Sequence, residues 1–264
     1  MLNQLVDNGH THKEYMPKLT VLTNVYNEEY LLPFWLEYHK GMFDHGIVID
    51  YRSTDSSMDI VRRICPTWEI RTTTNSHFDA RNIDEEFMEI EQTVPGYKIV
   101  LNTTEFLVSA QDIRTLLPEA STHAYPLQCL TAISSRIGTY PADVQELFSQ
   151  IERVEPKRRM TRTLHSHVHG NYPIGRHECT LPITGKLPVY VIWFGFHPWN
   201  EKLLQRKLQI KHNIPERDKR SGAGFHHFWG AEEQEKQRAI YARDSVPLNT
   251  IPTLELALKS ICQQ

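Results

Sequence analysis

No apolar run in this chain approaches the ~20 residues that a membrane-crossing helix requires; the stretch from Val189 to Phe196, among the longest, is far shorter. No transmembrane segment is expected. The first twenty residues, MLNQLVDNGHTHKEYMPKLT, are polar or charged throughout and hold no apolar core of secretory type, so the expected location is cytoplasmic. Cysteine is scarce: Cys65, Cys129, Cys179 and Cys262 lie far apart without a C-x-x-C pair, which fits neither a zinc ribbon nor a disulfide scaffold. Reduced thiols follow. Nor is charge of one sign in excess, because 29 Lys and Arg against 32 Asp and Glu leave a formal charge of -3. That argues against a surface built to grip nucleic acid or anionic lipid, and points to a small molecule or another protein as partner. What remains is ordinary for a folded chain: 264 residues, 40% hydrophobic and 10% aromatic, enough to bury a core without metal or disulfide staples.

From Lys18 the sequence alternates. LTVLTNVY reads as a strand, followed by a polar turn at Asn27, Glu28 and Glu29 and by LLPFWLEYHKGM, whose apolar residues recur at helical spacing. GIVIDY, RSTDSS and MDIVRRIC repeat the pattern, and Pro66 ends the helix. WEIRTTT is a third strand and HFDARNIDEEFMEIEQTV a charged helix; YKIVLNTTEFLV is a fourth strand with a polar break from Asn102 to Glu105. Such alternation predicts an α/β fold, a mostly parallel central sheet flanked by helices, with ligand chemistry at the strand C-terminal ends. Residues 110–186 should mix short strands and loops around a helix over ADVQELFSQIERV. Beyond Pro188 come a strand, VYVIWFGF, a helix over NEKLLQRKLQIKHNI, a glycine-containing loop and the charged helix EEQEKQRAIYARD. The expected organisation is an extension, 1–17, one domain over 18–244 with halves 18–110 and 111–244, and a tail, 245–264, that packs on its own domain or on a second subunit.

Two strand ends carry polar clusters. In TNVYNEEYLLPFWLEYH, the residues Thr23, Asn24, Tyr26, Asn27 and Glu28 could present a base and ribose with donors and acceptors, or Asn27 and Glu28 could simply cap the following helix. In IDYRSTDSS, Asp50, Ser53 and Asp55 span one turn, where a carboxylate can accept from a ribose hydroxyl or a uracil imide, or can cap a turn.

Taken in order, V-x-N-E-E, a helix with E-x-x-x-L-P-x-W-L-x-Y-H, then I-D-x-x-S-T-D-S resembles glycosyltransferases of the family 2 type, over about residues 18–110. The resemblance implies a GT-A fold, a Rossmann-like single domain that binds a nucleotide-sugar. On it, Thr23 to Glu28 and Asp50 to Asp55 would hold the nucleotide, with Asn102 nearby. It further implies transfer from a uridine diphosphate sugar to a hydroxyl of a glycan or polysaccharide acceptor, with inversion, although the same fold also serves retaining enzymes.

The family's D-x-D-E-F motif, which holds Mn²⁺ or Mg²⁺ on the donor diphosphate, is here Asn102-Thr103-Thr104-Glu105-Phe106. Both aspartates are absent and one carboxylate, Glu105, remains as metal ligand or catalytic group, although these cations prefer charged oxygens. Three explanations are open: a metal-independent transferase, a metal site rebuilt from other residues, or a fold that has lost catalysis. Positive charge for a leaving diphosphate could come from Arg158, Arg159 and Arg162, from Arg206, or from Lys207 and Lys211, one helical turn apart, or these clusters could be solvated faces. His226, after a glycine-rich lead-in, is a further diphosphate candidate. His165, His167 and His169 alternate, so a strand would point all three one way as a metal site, with a polar loop as the bland alternative; the resemblance separately implies a late histidine near the cation and diphosphate, His169 or His177. For the base that deprotonates the acceptor, Glu201, at a helix start after a strand, is first choice, with Asp218 and Glu178 behind it. Two other readings compete: a metal-dependent hydrolase centred on the three histidines, and a non-catalytic nucleotide-sugar or glycan binder.

Overall fold

In β1 (Leu19–Val25), β2 (His45–Asp50) and β4 (Tyr97–Val100), side chains on both faces are buried, as a parallel strand covered on each side requires. The computed structural model describes residues 16–119, 122–156, 160–221 and 228–263. Its first half follows the expected alternation: β1, α1 (Leu32–His39), β2, α2 (Ser57–Ile64), β3 (Glu69–Thr72), α3 (Ala80–Glu91) and β4. These four strands are parallel, in the order β3-β2-β1-β4. Local signals set the helices. Pro33 sits in the first turn of α1, and Asp79 caps α3 by accepting from the N–H groups of Arg81 and Asn82, both at 3.0 Å. Gly46 is needed on β2 because a Cβ there would lie 2.1 Å from the Trp68 ring.

The polar break after β4 turns the chain into a separate strand, β5 (Glu105–Ser109), which pairs far from β4 with β9 (Val189–Trp193). Between them come β6 (Ala124–Ile133), α4 (Val144–Ser149), β7 (Arg153–Glu155) and β8 (Thr161–His165). β8 is antiparallel to both β4 and β6, and β6 carries β9 in parallel on its other edge. One sheet of ten strands thus runs through both halves, its last strand being β10 (Val246–Pro247) beside β7. α5 (Glu201–Gln209), α6 (Glu216–Ser221), α7 (Ala231–Asp244) and α8 (Pro252–Cys262) complete the fold.

The helices flank both faces. α1, α2, α4 and α8 share one apolar cluster against the sheet, and α3 packs a second cluster on the other side. The tail packs on its own chain, where α8 buries Leu254, Ala257, Leu258 and Ile261. β5 has β9 on one edge only; the other is served by side chains of α1. Trp35 Nε1 donates to the Glu105 carbonyl (2.8 Å), Tyr38 Oη to the Leu107 carbonyl (2.9 Å), and the Leu107 N–H donates to His39 Nε2 (3.2 Å). His39 Nδ1 in turn donates to Trp35 O, which fixes the neutral tautomer, and burial drives its pKa down to about 3. The W-L-x-Y-H segment is therefore a bracket for an otherwise bare strand edge.

Among the described residues no helix is long and apolar enough to cross a membrane.

Candidate functional site

The chain steps from β1 through β2 to β3 in one direction and then returns to place β4 on the far side of β1. Such a reversal opens a crevice at the strand C-terminal ends, where open α/β sheets bind ligands. The two sequence motifs meet there and brace each other. Asn27, in the left-handed region at φ 51°, donates its N–H to Ser53 Oγ (3.2 Å) and accepts on Oδ1 from Thr54 N–H (2.7 Å). Glu28 N–H donates to Ser57 Oγ (2.8 Å), and Asp55 accepts from the N–H groups of Glu29 (3.1 Å) and Ser57 (3.0 Å). Asp50 Oδ1 accepts from Ser53 N–H at 2.8 Å. The Glu28 carboxylate makes a two-pronged ion pair with Arg206 of α5, and Gln209 of the same helix donates to the Tyr26 (3.2 Å) and Asn27 (2.9 Å) carbonyls. Much of the polar chemistry expected to face a nucleotide is thus engaged between loops. Thr23 Oγ1 and Asn24 Oδ1, by contrast, are buried acceptors without a hydrogen-bond partner among the described residues.

Beside these loops, over the C-terminal ends of β1, β2 and β3, lies a pocket of about 300 Å³ lined by Tyr26, Tyr51, Arg52, Ser76, His77, Phe78 and Asn213. Of the residues expected to hold a nucleotide, Tyr26 is the one in this lining. The others arise from loops that hydrophobic periodicity does not resolve. Tyr51 and Phe78 meet edge to face with centroids 5.2 Å apart. Glu86 of α3 anchors the floor, accepting from Thr73 Oγ1 (2.8 Å), Thr74 N–H (3.1 Å), Asn75 Nδ2 (3.0 Å) and Tyr51 Oη. Burial and the Glu86 contact hold the Tyr51 phenol protonated, well above its ordinary pKa. Asn213 reaches the pocket because its carbonyl accepts from Phe78 N–H at 3.1 Å. Arg52 stands at φ 63° and donates from its guanidinium to the Asn75 (2.6 Å) and Thr73 (3.4 Å) carbonyls.

The Asn102–Glu105 corner is closed. Glu105 is buried, and Arg162 of β8 donates to it from Nε (2.7 Å) and a terminal nitrogen (2.8 Å), while Asn102 N–H adds a third donor at 2.9 Å. Burial by itself would raise the Glu105 pKa; the Arg162 charge and these hydrogen bonds outweigh it and hold the carboxyl below the usual range. Arg162 also donates to the carbonyls of Gly175 (3.0 Å) and Arg176 (2.9 Å). Arg176 is itself buried at φ 56°, pairs with Asp84 and donates to Asn102 Oδ1 at 3.2 Å. Thr103 and Thr104 are buried as well. Every carboxylate or amide oxygen at this corner already accepts from an N–H donor, so the residues present do not fit Mn²⁺ or Mg²⁺. Glu105, the expected metal ligand or catalytic group, and Arg162, an expected diphosphate contact, thus form a buried ion pair with each other.

The rings of His165 and His167 lie 6.4 Å apart, but the three histidines do not form a metal-binding group. β8 ends at His165, whose Nε2 lies 3.2 Å from Glu91 Oε1 and 3.0 Å from Tyr172 Oη, inside the protein. His167 lies beyond the strand and offers its carbonyl to Lys98 (2.8 Å); His169 Nδ1 accepts from Asn171 N–H (3.2 Å). Among the described residues no group of three or more His, Cys, Asp or Glu could hold a metal ion. Glu201 opens α5, exposed, next to the Asn200 cap, and accepts from Gln205 Nε2 at 2.7 Å. Lys211 is exposed, and Lys207 sits over aromatic rings: its Nζ is 4.4 Å from the Phe196 centroid and 5.4 Å from that of Trp193. Asp218 is buried and accepts from Ala80 N–H at 3.3 Å, at the start of α3. Arg158, Arg159 and His226 lie outside the described residues.

The sequence matches no protein-family model and no curated protein sequence. Among solved structures it is similar to glucosyl-3-phosphoglycerate synthase from Mycobacterium tuberculosis, in complex with Mn²⁺, UDP and glucosyl-3-phosphoglycerate (14% identity, TM-score 0.27, 34% of each chain). It is also similar to S. aureus TarS 1-349 (12% identity, TM-score 0.37, 74% of this chain and 65% of that one) and to the inositol-1-phosphate CTP transferase from T. maritima (10% identity, TM-score 0.31, 46% and 56%). The chain spans between a third and two thirds of these structures' lengths, and likenesses this weak carry no argument about activity.

Proposed function

We propose that the chain is a GT-A glycosyltransferase that moves a sugar from a nucleoside diphosphate donor, a uridine one, to a hydroxyl of a glycan or polysaccharide acceptor, with inversion. The observation that carries the reading is the aromatic and polar pocket over β1, β2 and β3, beside the reversal of strand order and next to both motifs. A volume of about 300 Å³ is at the small end of ligand pockets, the size of a nucleobase with part of its sugar. Tyr26, Tyr51 and Phe78 would stack on or edge the base, and the motif loops would carry ribose and phosphate.

On this reading Glu201 is the general base. It takes the proton of the acceptor hydroxyl as that oxygen attacks the anomeric carbon; the bond from that carbon to the diphosphate oxygen breaks, and the electron pair leaves with the nucleotide. Its position supports the role: it is exposed at the start of α5, the helix whose Arg206 and Gln209 tie into the first motif loop. The closed Glu105 corner also keeps a non-catalytic binder in play as a second reading, using the same pocket without turnover.

Calorimetric titration with UDP, CDP, GDP and ADP tests the proposal. Micromolar binding of UDP, lost in Phe78→Ala, is expected; failure of all four nucleotides to bind would refute it. Release of UDP from UDP-sugars in the presence of acceptor separates transferase from binder.

A further inference from the structure

Negative charge on a diphosphate needs fixed positive charge to meet it, from a metal or from the protein. At the Asn102–Glu105 corner the carboxylate and amide oxygens already accept from N–H donors, and its two arginines are committed: Arg162 to Glu105, Arg176 to Asp84. Arg206 is likewise held by Glu28. Arg52 differs from all three. Its guanidinium lines the pocket, it is exposed, and its hydrogen bonds go to two neutral carbonyls, those of Asn75 and Thr73, with no ion pair among the described residues. Those two bonds hold the plane of the fork and leave its charge uncancelled and further N–H donors for a ligand.

Arg52 occupies the left-handed region at φ 63°, a conformation glycine adopts freely and a side chain with a Cβ does not. Arg176 shares that conformation, at φ 56°, but its charge is taken up by Asp84, so what sets Arg52 apart is its uncommitted guanidinium. We infer that Arg52 is the phosphate-binding cation of this pocket, a fixed guanidinium that receives the anionic part of a nucleoside diphosphate without a divalent metal. The inference rests on the donor reading proposed above and goes beyond it by naming the group that carries the charge. A guanidinium matches phosphate oxygens with two parallel N–H donors, which a lysine on the same stem cannot reproduce.

The test titrates UDP, uridine and inorganic pyrophosphate into wild type, Arg52→Gly and Arg52→Lys, each in chelator and again with excess Mn²⁺. Wild type should bind UDP in chelator, with an affinity that Mn²⁺ leaves unchanged. Arg52→Gly should weaken UDP and pyrophosphate by about tenfold or more, the size of a charge-assisted hydrogen-bond loss, leave uridine unchanged, and melt no lower than wild type. Arg52→Lys should fall between the two. Equal weakening of uridine and UDP in Arg52→Gly, or unchanged UDP affinity, overturns the inference. Binding of UDP only with Mn²⁺ overturns it as well while leaving the donor reading intact, whereas no binding of UDP to wild type under either condition overturns both.

Discussion

Replacing Arg162 by Met tests whether the closed corner is held by the ion pair. The Glu105 and Arg162 side chains are 4% and 2% exposed, so removing the guanidinium strands a buried carboxylate. Breaking such a pair from one side costs about 3–5 kcal/mol. The carbonyls of Gly175 and Arg176 lose their donor at the same time, each worth about 1 kcal/mol if water cannot replace it. Out of about 5–15 kcal/mol for a whole domain, that is a large fraction. The double variant Arg162→Met with Glu105→Leu removes both charges and fills the space, and should therefore be more stable than Arg162→Met alone. The pH dependence carries the same signature. In wild type the Glu105 pKa is depressed, so its contribution is present above the unfolded carboxyl pKa and is lost as pH falls through the folded value. Without Arg162 burial outweighs the Asn102 N–H bond that remains, the Glu105 pKa rises, and protonation on acidification relieves the penalty. The gap between wild type and Arg162→Met should consequently narrow from about pH 7 to about pH 5. Urea unfolding followed by fluorescence of the buried Trp35 and Trp68 reads all of this. A cost below about 1 kcal/mol for Arg162→Met, or a double variant that loses the sum of its parts, would refute the reasoning.

Three further outcomes follow from named contacts. His39 and His197 are buried and neutral, with pKa values driven by burial down to about 3 and about 4; the unfolded chain therefore binds protons the folded one does not below about pH 6.5. Each should make stability fall by up to ~1.4 kcal/mol per pH unit on acidification down to its folded value, and His39→Phe should flatten that slope in urea midpoints measured against pH. An unchanged slope would remove His39 from the account. Gly46→Ala drives a methyl into the Trp68 ring, so a loss of about 1–3 kcal/mol in the same assay is expected, and a neutral outcome would mean that Trp68 repacks at no cost. Glu201→Gln should lower transfer by about 10²–10⁴-fold while leaving nucleotide affinity within error in calorimetry; a variant with unchanged turnover would return the base to another residue.

The first four strands and their helices could be read from sequence because each strand is a short apolar run bounded by a polar turn, and each helix carries its own cap or proline. β6 could not. It is the longest strand, yet Pro126 interrupts its pattern and Gln128 and Thr131 break its apolar face, so its identity comes from β8 and β9 on its two edges. The break at Asn102–Glu105 was visible as polar residues, while its consequence, that β5 leaves β4 and pairs with a strand more than eighty residues later, is a matter of tertiary pairing. The same limit applies to the site. Both motif loops stood out, but their side chains were read one loop at a time, and what occupies them is the other loop and α5. Phe78 and Asn213 belong to one pocket through a single hydrogen bond between residues distant in the chain, which no local pattern encodes.

The charge balance of the corner cannot be judged one position at a time. Restoring an aspartate at 104 would place a carboxylate on a side chain that is 3% exposed, in a turn whose carbonyl is already held by Phe194 N–H. A charge buried there would cost several kcal/mol unless the corner reopened to water. An aspartate at 102 would stand beside the Glu105 carboxylate and would compete with Asp84 for Arg176. Arg162 and Arg176 can be buried beside the neutral Asn102 and Thr104 because Glu105 and Asp84 neutralise them. The four charged residues and the two neutral ones form a single solution to the charge balance of this strand end. It supplies no net positive charge to a ligand, so on the donor reading proposed above the counter-charge must come from elsewhere, and Arg52, exposed on the neighbouring loop, is the arginine that lines the pocket.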